Sequence, residues 1–319
     1  MSDQTAFANR LRKMCRHHDK WARRRNISCY RVYDRDLEEF PFVIDRYGDQ
    51  VLVIDYTTPS SEGPPPDEML ERRRKLELRE TLAEAMTVPT KSIHLNSRTP
   101  AATDKPAPAG RPQTVTEDGL KYLVNLETNR DTGLFLDQRE LRKLIRAEAA
   151  GKEVLDLFGS TGTFTVAAAA GGAAAVQYVE LSNTNLEWAK KNLAANDFDP
   201  AAAKYRFERA DVSEWLRMET EPSYDLVVMD APAYRNSKSM RHPLDLREDH
   251  PYLINAALRH LRRGGRLYFA TSAQRFKLAD DKIFGGTTIR EITPQTTPAD
   301  FAKSKPHRAW RIDLTLEPK

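Results

Sequence analysis

Two cysteines, Cys15 and Cys29, are all that the 319 residues contain. That is too few for a disulfide framework and excludes a small, disulfide-stapled secreted fold. No apolar run approaches the roughly 20 residues of a membrane span, and no apolar segment of the secretory-leader kind follows the basic N-terminus. A cytoplasmic protein is expected, with no membrane contact. A metal site is not expected: Cys15, His17, His18 and Cys29 match no standard ligand spacing, and adjacent histidines on a helix point apart. Net charge is small, 50 Lys and Arg against 46 Asp and Glu. No internal repeat is visible.

What charge there is lies unevenly. Residues 1–31 hold nine Lys and Arg against Asp3 and Asp19, a net of +7 that leaves the remainder at −3. A localised basic patch suits a phosphate backbone, although a solvated helix face has the same composition. Phe7, Leu11, Met14, His18 and Trp21 recur at helical spacing opposite these cations, so 5–25 reads as an amphipathic helix. Arg10, Arg12, Lys13, Arg16, Arg23 and Arg24 on it are candidate RNA contacts. Segments 28–34 and 41–56 read as strands, the second folded into a hairpin at Tyr47-Gly48-Asp49. A break from Pro59 to Pro66 precedes a helix over 67–86, and 97–113, rich in Pro and Ala, reads as a mobile loop.

From about 138 the pattern alternates. Helices are expected at 138–150, 163–170, 183–196, 212–219 and 248–262. Strands are expected at 153–158, 175–180, 204–210, 224–230, 265–272, 287–293 and 308–316. Strands separated by helices of this length imply an α/β fold with a doubly wound, mostly parallel sheet. The organisation is therefore a basic helix (1–27), a small α+β domain (28–119) and a larger domain (120–319).

Strand 153–158 ends in Asp156-Leu157-Phe158 and runs through Gly159, Thr161 and Gly162 into an alanine-rich helix. A phosphate-binding loop would need Gly-Lys-Ser/Thr after that turn, and no lysine follows Gly162. A dinucleotide loop would need a third glycine, and a carboxylate at the strand end is a poor neighbour for a diphosphate. It is a good neighbour for the ammonium and sulfonium charges of S-adenosylmethionine, while the helix N-terminus can receive a carboxylate. The next strand ends in Glu180, followed by Leu181 and Ser182, where an acid can accept both ribose hydroxyls. The third ends at Asp211-Val212, where an acid can take the adenine amino group. The fourth ends at Asp230-Ala231-Pro232-Ala233-Tyr234. One such acid would be an ordinary helix cap. Four in succession, at the sheet edge where open α/β folds bind ligands, point to a cofactor site.

These residues resemble class I S-adenosylmethionine-dependent methyltransferases with a Rossmann-like fold. Within them, Asp131-Thr132-Gly133-Leu134-Phe135-Leu136-Asp137-Gln138-Arg139 is similar to the segment that precedes the cofactor loop in large-subunit rRNA methyltransferases. The likeness is to the guanine-N7-methylating half of the bifunctional 23S rRNA enzyme. It covers nearly the whole chain, including Phe7–Lys13, Cys29–Asp34, Asp45–Tyr47, Asn236–Lys238, Asp249-His250, Asp300–Ala302 and Trp310. It adds Phe135, Gln138 and Arg139 to the expected cofactor wall. It departs in reading Asp230-Ala231-Pro232 where the family has Asp-Pro-Pro, and the half that methylates a guanine amino group is absent from this sequence.

The resemblance implies S-adenosylmethionine as cofactor and 23S rRNA, or its large-subunit precursor, as partner. The family also contains 5-methylcytosine enzymes, which need a cysteine to add to the ring. Neither cysteine lies in 131–319. Guanine N7 carries an in-plane lone pair and no proton, so it needs alignment and exclusion of water more than a strong base. Asp230 and the carbonyls near Pro232 are expected to hold the guanine edge, with Tyr234 stacking on the base. The segment 235–247, with Lys238, Arg241, His242 and Arg247, is expected to meet phosphates. His250 and His307 are read as structural or RNA-facing. Two alternatives stand beside this one: methylation of an exocyclic amino group (guanine N2 or adenine N6), and a non-catalytic RNA-binding assembly factor.

Overall fold

The computed structural model describes residues 3–57, 68–97, 110–127, 131–218 and 221–316. Two compact units divide the chain, Met1–Thr132 and Gly133–Lys319. The break at 59–66 and residues 98–109 of the expected loop lie outside the described residues.

In the first unit, helix α1 (Asp3–Arg24) leads into an antiparallel meander of β1 (Cys29–Asp34), β2 (Phe42–Tyr47) and β3 (Gln50–Asp55). Gly48 turns β2 into β3 at φ +62, a conformation that costs glycine nothing. After α2 (Glu68–Met86), β4 (Ile93–Ser97) returns parallel to β3. Phe7, Leu11, Cys15 and Ala22 of α1 share one core with Val32, Ile44, Val53 and Leu82, so α1 is part of this unit rather than a separate arm. Strands β5 (Gln113–Glu117) and β6 (Leu120–Val124) form a second hairpin, closed by Asp118 and Gly119 at φ +48 and +82. Two successive positive φ values define the tight turn whose twist matches the strands. The expected boundary at 119/120 falls inside this hairpin, and the compact unit continues to Thr132.

The second unit holds a seven-stranded sheet. Helix α3 (Arg139–Glu148) precedes β7 (Glu153–Leu157), α4 (Thr163–Ala170), β8 (Ala175–Glu180), α5 (Asn183–Ala194) and β9 (Tyr205–Arg209). Then come α6 (Val212–Trp215), β10 (Tyr224–Asp230), the short pair β11 (Tyr234–Arg235) and β12 (Leu244–Asp245), and α7 (Leu246–Arg259). The chain closes with β13 (Leu261–Thr271), β14 (Thr287–Glu291), α8 (Thr293–Thr296) and β15 (Arg308–Leu314). Strand order is β14-β15-β13-β10-β7-β8-β9. The five strands from β13 to β9 are parallel; β15 runs antiparallel to β13, and the edge strand β14, antiparallel to β15, runs in the same direction as the five. Every residue of β8 is buried, as expected where helices cover both faces of a parallel sheet. The chain winds outward from β7 to β9, then returns to place β10 on the other side of β7. That reversal opens a crevice beyond the ends of β7 and β10, the place where such sheets bind ligands.

Candidate active site and nucleic-acid interface

The loop between β7 and α4 is tightly specified. Phe158, Ser160 and Gly162 take φ of +56, +47 and +75, so positive values alternate along it. Non-glycine residues hold such values at a cost of about 1–3 kcal/mol each, which the surroundings must offset. Those surroundings are visible: Tyr178 donates to the Ser160 carbonyl, Thr161 donates to the Gly133 carbonyl, and Asn192 donates to the Thr161 carbonyl at 2.8 Å. A Cβ on Gly159 would lie 2.4 Å from the Tyr178 ring, and one on Gly162 would lie 2.5 Å from Ala189. Both glycines are therefore required by packing, and Gly162 by its φ as well.

The acids lie where the strand pattern places them. Asp156 is buried, and its Oδ2 accepts from Thr165 at 2.6 Å. Among the described residues its Oδ1 has no hydrogen-bond partner. Burial, with the nearby charges of Asp230 and Glu180, pushes this carboxyl up to about 7. Asp230 accepts at 3.1 Å from Gln138 Nε2, and Gln138 Oε1 is buried with no hydrogen-bond partner among the described residues. Burial and the Asp137 carboxylate push Asp230 up to about 7, opposed by His307 and Arg142. Two orphaned acceptors, Asp156 Oδ1 and Gln138 Oε1, thus belong to the group of residues that meets at the crevice. Buried acceptors without donors are costly, so a cationic donor such as an amino-acid ammonium fits them.

Glu180 is 2% exposed, and its Oε2 accepts from Ser160 N at 3.3 Å. Its Oε1 accepts from Ser182 N at 2.9 Å and from Arg235. Asp211 is partly buried, and its Oδ1 caps α6 by accepting from Ser213 N at 2.9 Å. Ser182 likewise caps α5 through Asn185 N. Val212 is buried and Leu181 partly so beside these caps. The expected wall residues from the segment before α3 divide. Phe135 is exposed, and Gln138 reaches Asp230. Arg139, expected to face the cofactor, is instead completely buried against Asp300 at 2.7 Å. A buried guanidinium and carboxylate in contact hold each other in place, and Arg139 anchors α3 to the 299–301 turn rather than presenting a charge to a ligand.

Beyond Asp230, the Ala231 N–H donates to the Ala270 carbonyl at 2.9 Å. A proline there could not make this bond, so the departure from Asp-Pro-Pro adds a rung between β10 and β13. Pro232 is partly buried, and Tyr234 is 60% exposed, so its ring is available for stacking and is not core. The β11–β12 pair closes residues 236–243 into a loop on which Lys238 is exposed. Arg241 lies 3.9 Å from Glu214, and Arg247 donates to the Gln274 carbonyl. His250 is structural: its Nδ1 bonds the Leu246 carbonyl at 2.9 Å, and its Nε2 accepts from Ala279 N. His307 bonds Asp137 at 3.0 Å. Arg235, Thr165, Asp137 and Asp300 were not singled out from the sequence as site residues.

On α1 the expected basic patch is real but narrower. Arg10 is paired with Asp36 and Arg12 with Glu84, both at 2.6 Å, which removes them from the free charge. Lys13, Arg16, Lys20, Arg23 and Arg24 are exposed. At 3.6 residues per turn these five share one arc of about 100° opposite the core face. Both thiols are buried in the first unit, and burial pushes Cys15 up to about 11, so neither is poised as a nucleophile. Among the described residues no group of His, Cys, Asp and Glu could hold a metal, and no helix is long and apolar enough to cross a membrane.

The family model for S-adenosylmethionine-dependent methyltransferases matches residues 36–268. The chain belongs to this family. Its cofactor is S-adenosylmethionine, in line with the orphaned acceptors at Asp156 and Gln138. The chain is 40% identical over 318 residues to "Ribosomal RNA large subunit methyltransferase K" of Neisseria meningitidis, covering 98% of this chain and 88% of the relative. It is 41% identical over 313 residues to "Ribosomal RNA large subunit methyltransferase K/L" of Pseudomonas putida, covering 97% of this chain and 42% of the relative. The chain thus spans about two-fifths of the length of that K/L relative. Among solved structures, the methyltransferase SMU.776, determined with SAH, superposes with a TM-score of 0.78 at 24% identity, over 98% of this chain and 82% of that one. It shares the fold.

Proposed function

We propose that the protein methylates N7 of a guanine in 23S rRNA. The observation that carries this reading is the 40% identity along 98% of the chain with a relative named as rRNA large subunit methyltransferase K, joined to the resemblance to the N7-methylating half of the bifunctional enzyme. When bound, S-adenosylmethionine supplies an electrophilic methyl group on a sulfonium.

The chain's own residues have six tasks. Asp156 and Gln138 present their unpartnered oxygens to the cofactor's cationic end, and Glu180 takes the ribose hydroxyls. Asp211, through the oxygen not used in capping, takes the adenine amino group. Asp230 accepts from the N1–H or amino group of the guanine, which fixes the base edge and favours the positive charge that N7 methylation leaves on the ring. Tyr234, exposed beside it, stacks on the base. N7 bears no proton, so no group must remove one before attack. The five-cation stripe of α1 and Lys238 contact phosphates, a sequence-independent grip that weakens as salt rises.

Methylation of the guanine amino group is the second reading. It is favoured by the carboxylate of Asp230, which can orient an amine as well as a ring N–H. Purified protein incubated with isotopically labelled cofactor and 23S rRNA tests both. Nuclease digestion and mass spectrometry should place the label in 7-methylguanosine. Label in N2-methylguanosine would select the second reading, and no label would remove both.

A further inference from the structure

A cavity of about 1150 Å³ in the second unit belongs to none of the roles above. It opens just past the end of β13, between the segment Ser272–Lys277 and the segment Thr293–Arg308. Its volume exceeds the range of about 300–1,000 Å³ usual for small-molecule pockets. A polymer segment suits it better than a single metabolite.

Its lining is apolar within and cationic at the rim. Ala273 and Pro298 are buried in the wall, and Pro306 is partly so. Arg275, Lys277 and Lys305 are exposed, and among the described residues none of the three has an ion-pair partner. The single acid in the lining, Glu291, is held by Arg308 at 2.6 Å. The uncompensated charge of the cavity is therefore positive.

Its position ties it to the acceptor site. Ala270 of β13 pairs with Asp230 of β10, about 4.8 Å across the sheet, and Ser272 follows two residues further along at the same sheet edge. His307 lines the cavity and bonds Asp137 at 3.0 Å. The next residue, Gln138, donates to Asp230. Two hydrogen bonds, joined through the adjacent residues Asp137 and Gln138, thus link the cavity wall to the acceptor acid.

We infer that this cavity receives the nucleotide flanking the methylated base. Its base lies against the alanine and proline surface, and its phosphates meet Arg275, Lys277 and Lys305. Unstacked bases on apolar surfaces with cations along the backbone are how proteins hold single-stranded RNA. The inference rests on the reading of the chain as an rRNA methyltransferase.

The test uses the full chain, Lys277→Glu/Lys305→Glu, and in-vitro-transcribed 23S rRNA. Cofactor affinity should stay unchanged. The RNA dissociation constant should rise at least about tenfold, and the salt slope of binding should fall by about 1.4, two single-strand contacts at about 0.7 each. Lys277→Gln/Lys305→Gln should show the same loss of slope without reversed charge, which covers misfolding of the first variant. Unchanged RNA affinity and slope in both variants would overturn the cavity's role while leaving the rRNA reading intact. Wild-type protein that fails to bind the RNA would overturn both.

Discussion

Arg235 donates to the carboxylate of Glu180, joining the residue after the acceptor motif to the acid that ends β8. Both oxygens of Glu180 also accept from backbone N–H groups of the cofactor loop and of α5's N-terminus. On the proposed reading, a ribose diol at Glu180 would compete with Arg235 for Oε1, which would couple cofactor entry to the position of the acceptor loop. Arg235→Ala should therefore tighten S-adenosylmethionine binding several-fold by calorimetry, with tenfold corresponding to about 1.4 kcal/mol. Unchanged or weaker binding would show that the pair does not compete with the cofactor.

With Asp156 at the cofactor's cationic end, as proposed, cofactor binding should have a pH dependence of definite sign. Its carboxyl is pushed up to about 7 from 3.8. The folded chain thus holds a proton that the unfolded chain has lost, and this group's contribution to stability falls as pH rises from about 4 to 7. A cationic ligand prefers the carboxylate, so affinity should rise through that same upper range, and binding near pH 6 should release protons. Asp230, also pushed up to about 7, adds to the trend. Asp156→Asn keeps an acceptor for Thr165 without the buried charge. It should raise the cofactor-free Tm above about pH 7 and abolish tight cofactor binding.

Gly159 faces the Tyr178 ring at a distance no real Cβ tolerates. Gly159→Ala should cost about 1–3 kcal/mol, the usual range for overpacking a filled site. The shift falls on the cofactor loop, so denaturant unfolding and cofactor affinity should both suffer. A variant with wild-type stability would mean that Tyr178 moves freely, against its bond to Ser160.

On the proposed reading, charge on α1 divides into a stripe that contacts RNA and ion pairs that hold the fold. Lys13→Glu/Arg16→Glu/Lys20→Glu should lower the salt slope of rRNA binding by about 2–3 and leave Tm nearly unchanged. Arg10→Ala, which removes the pair with Asp36, should lose about 1 kcal/mol of stability or less and leave the slope alone. The opposite pattern would place the RNA elsewhere.

What the sequence showed and what it hid follow from distance along the chain. Strands β7, β8 and β10 announce themselves as largely apolar runs with an acid at or next to the last residue, and their loops lie next to them, so Asp156, Glu180 and Asp230 could be placed by inspection. The Asp118-Gly119 turn between alternating strands is equally legible, and the expected boundary at 119/120 falls inside the hairpin that it closes. Strand β4 is only five residues and joins its sheet by a parallel crossover, which leaves little local pattern. Arg235–Glu180, Asp137–His307 and Arg139–Asp300 link residues 55, 170 and 161 positions apart. No periodicity carries such pairs, and Arg139, exposed by composition, turned out fully buried because Asp300 comes to meet it.

The central claim is most directly tested on the RNA itself. Comparison of 23S rRNA from cells with and without this gene, by reduction followed by aniline cleavage, should reveal one cleavage site that disappears with the gene, and digestion should show the matching loss of 7-methylguanosine. An unchanged cleavage pattern, with loss of a different methylated nucleoside or of none, would contradict it.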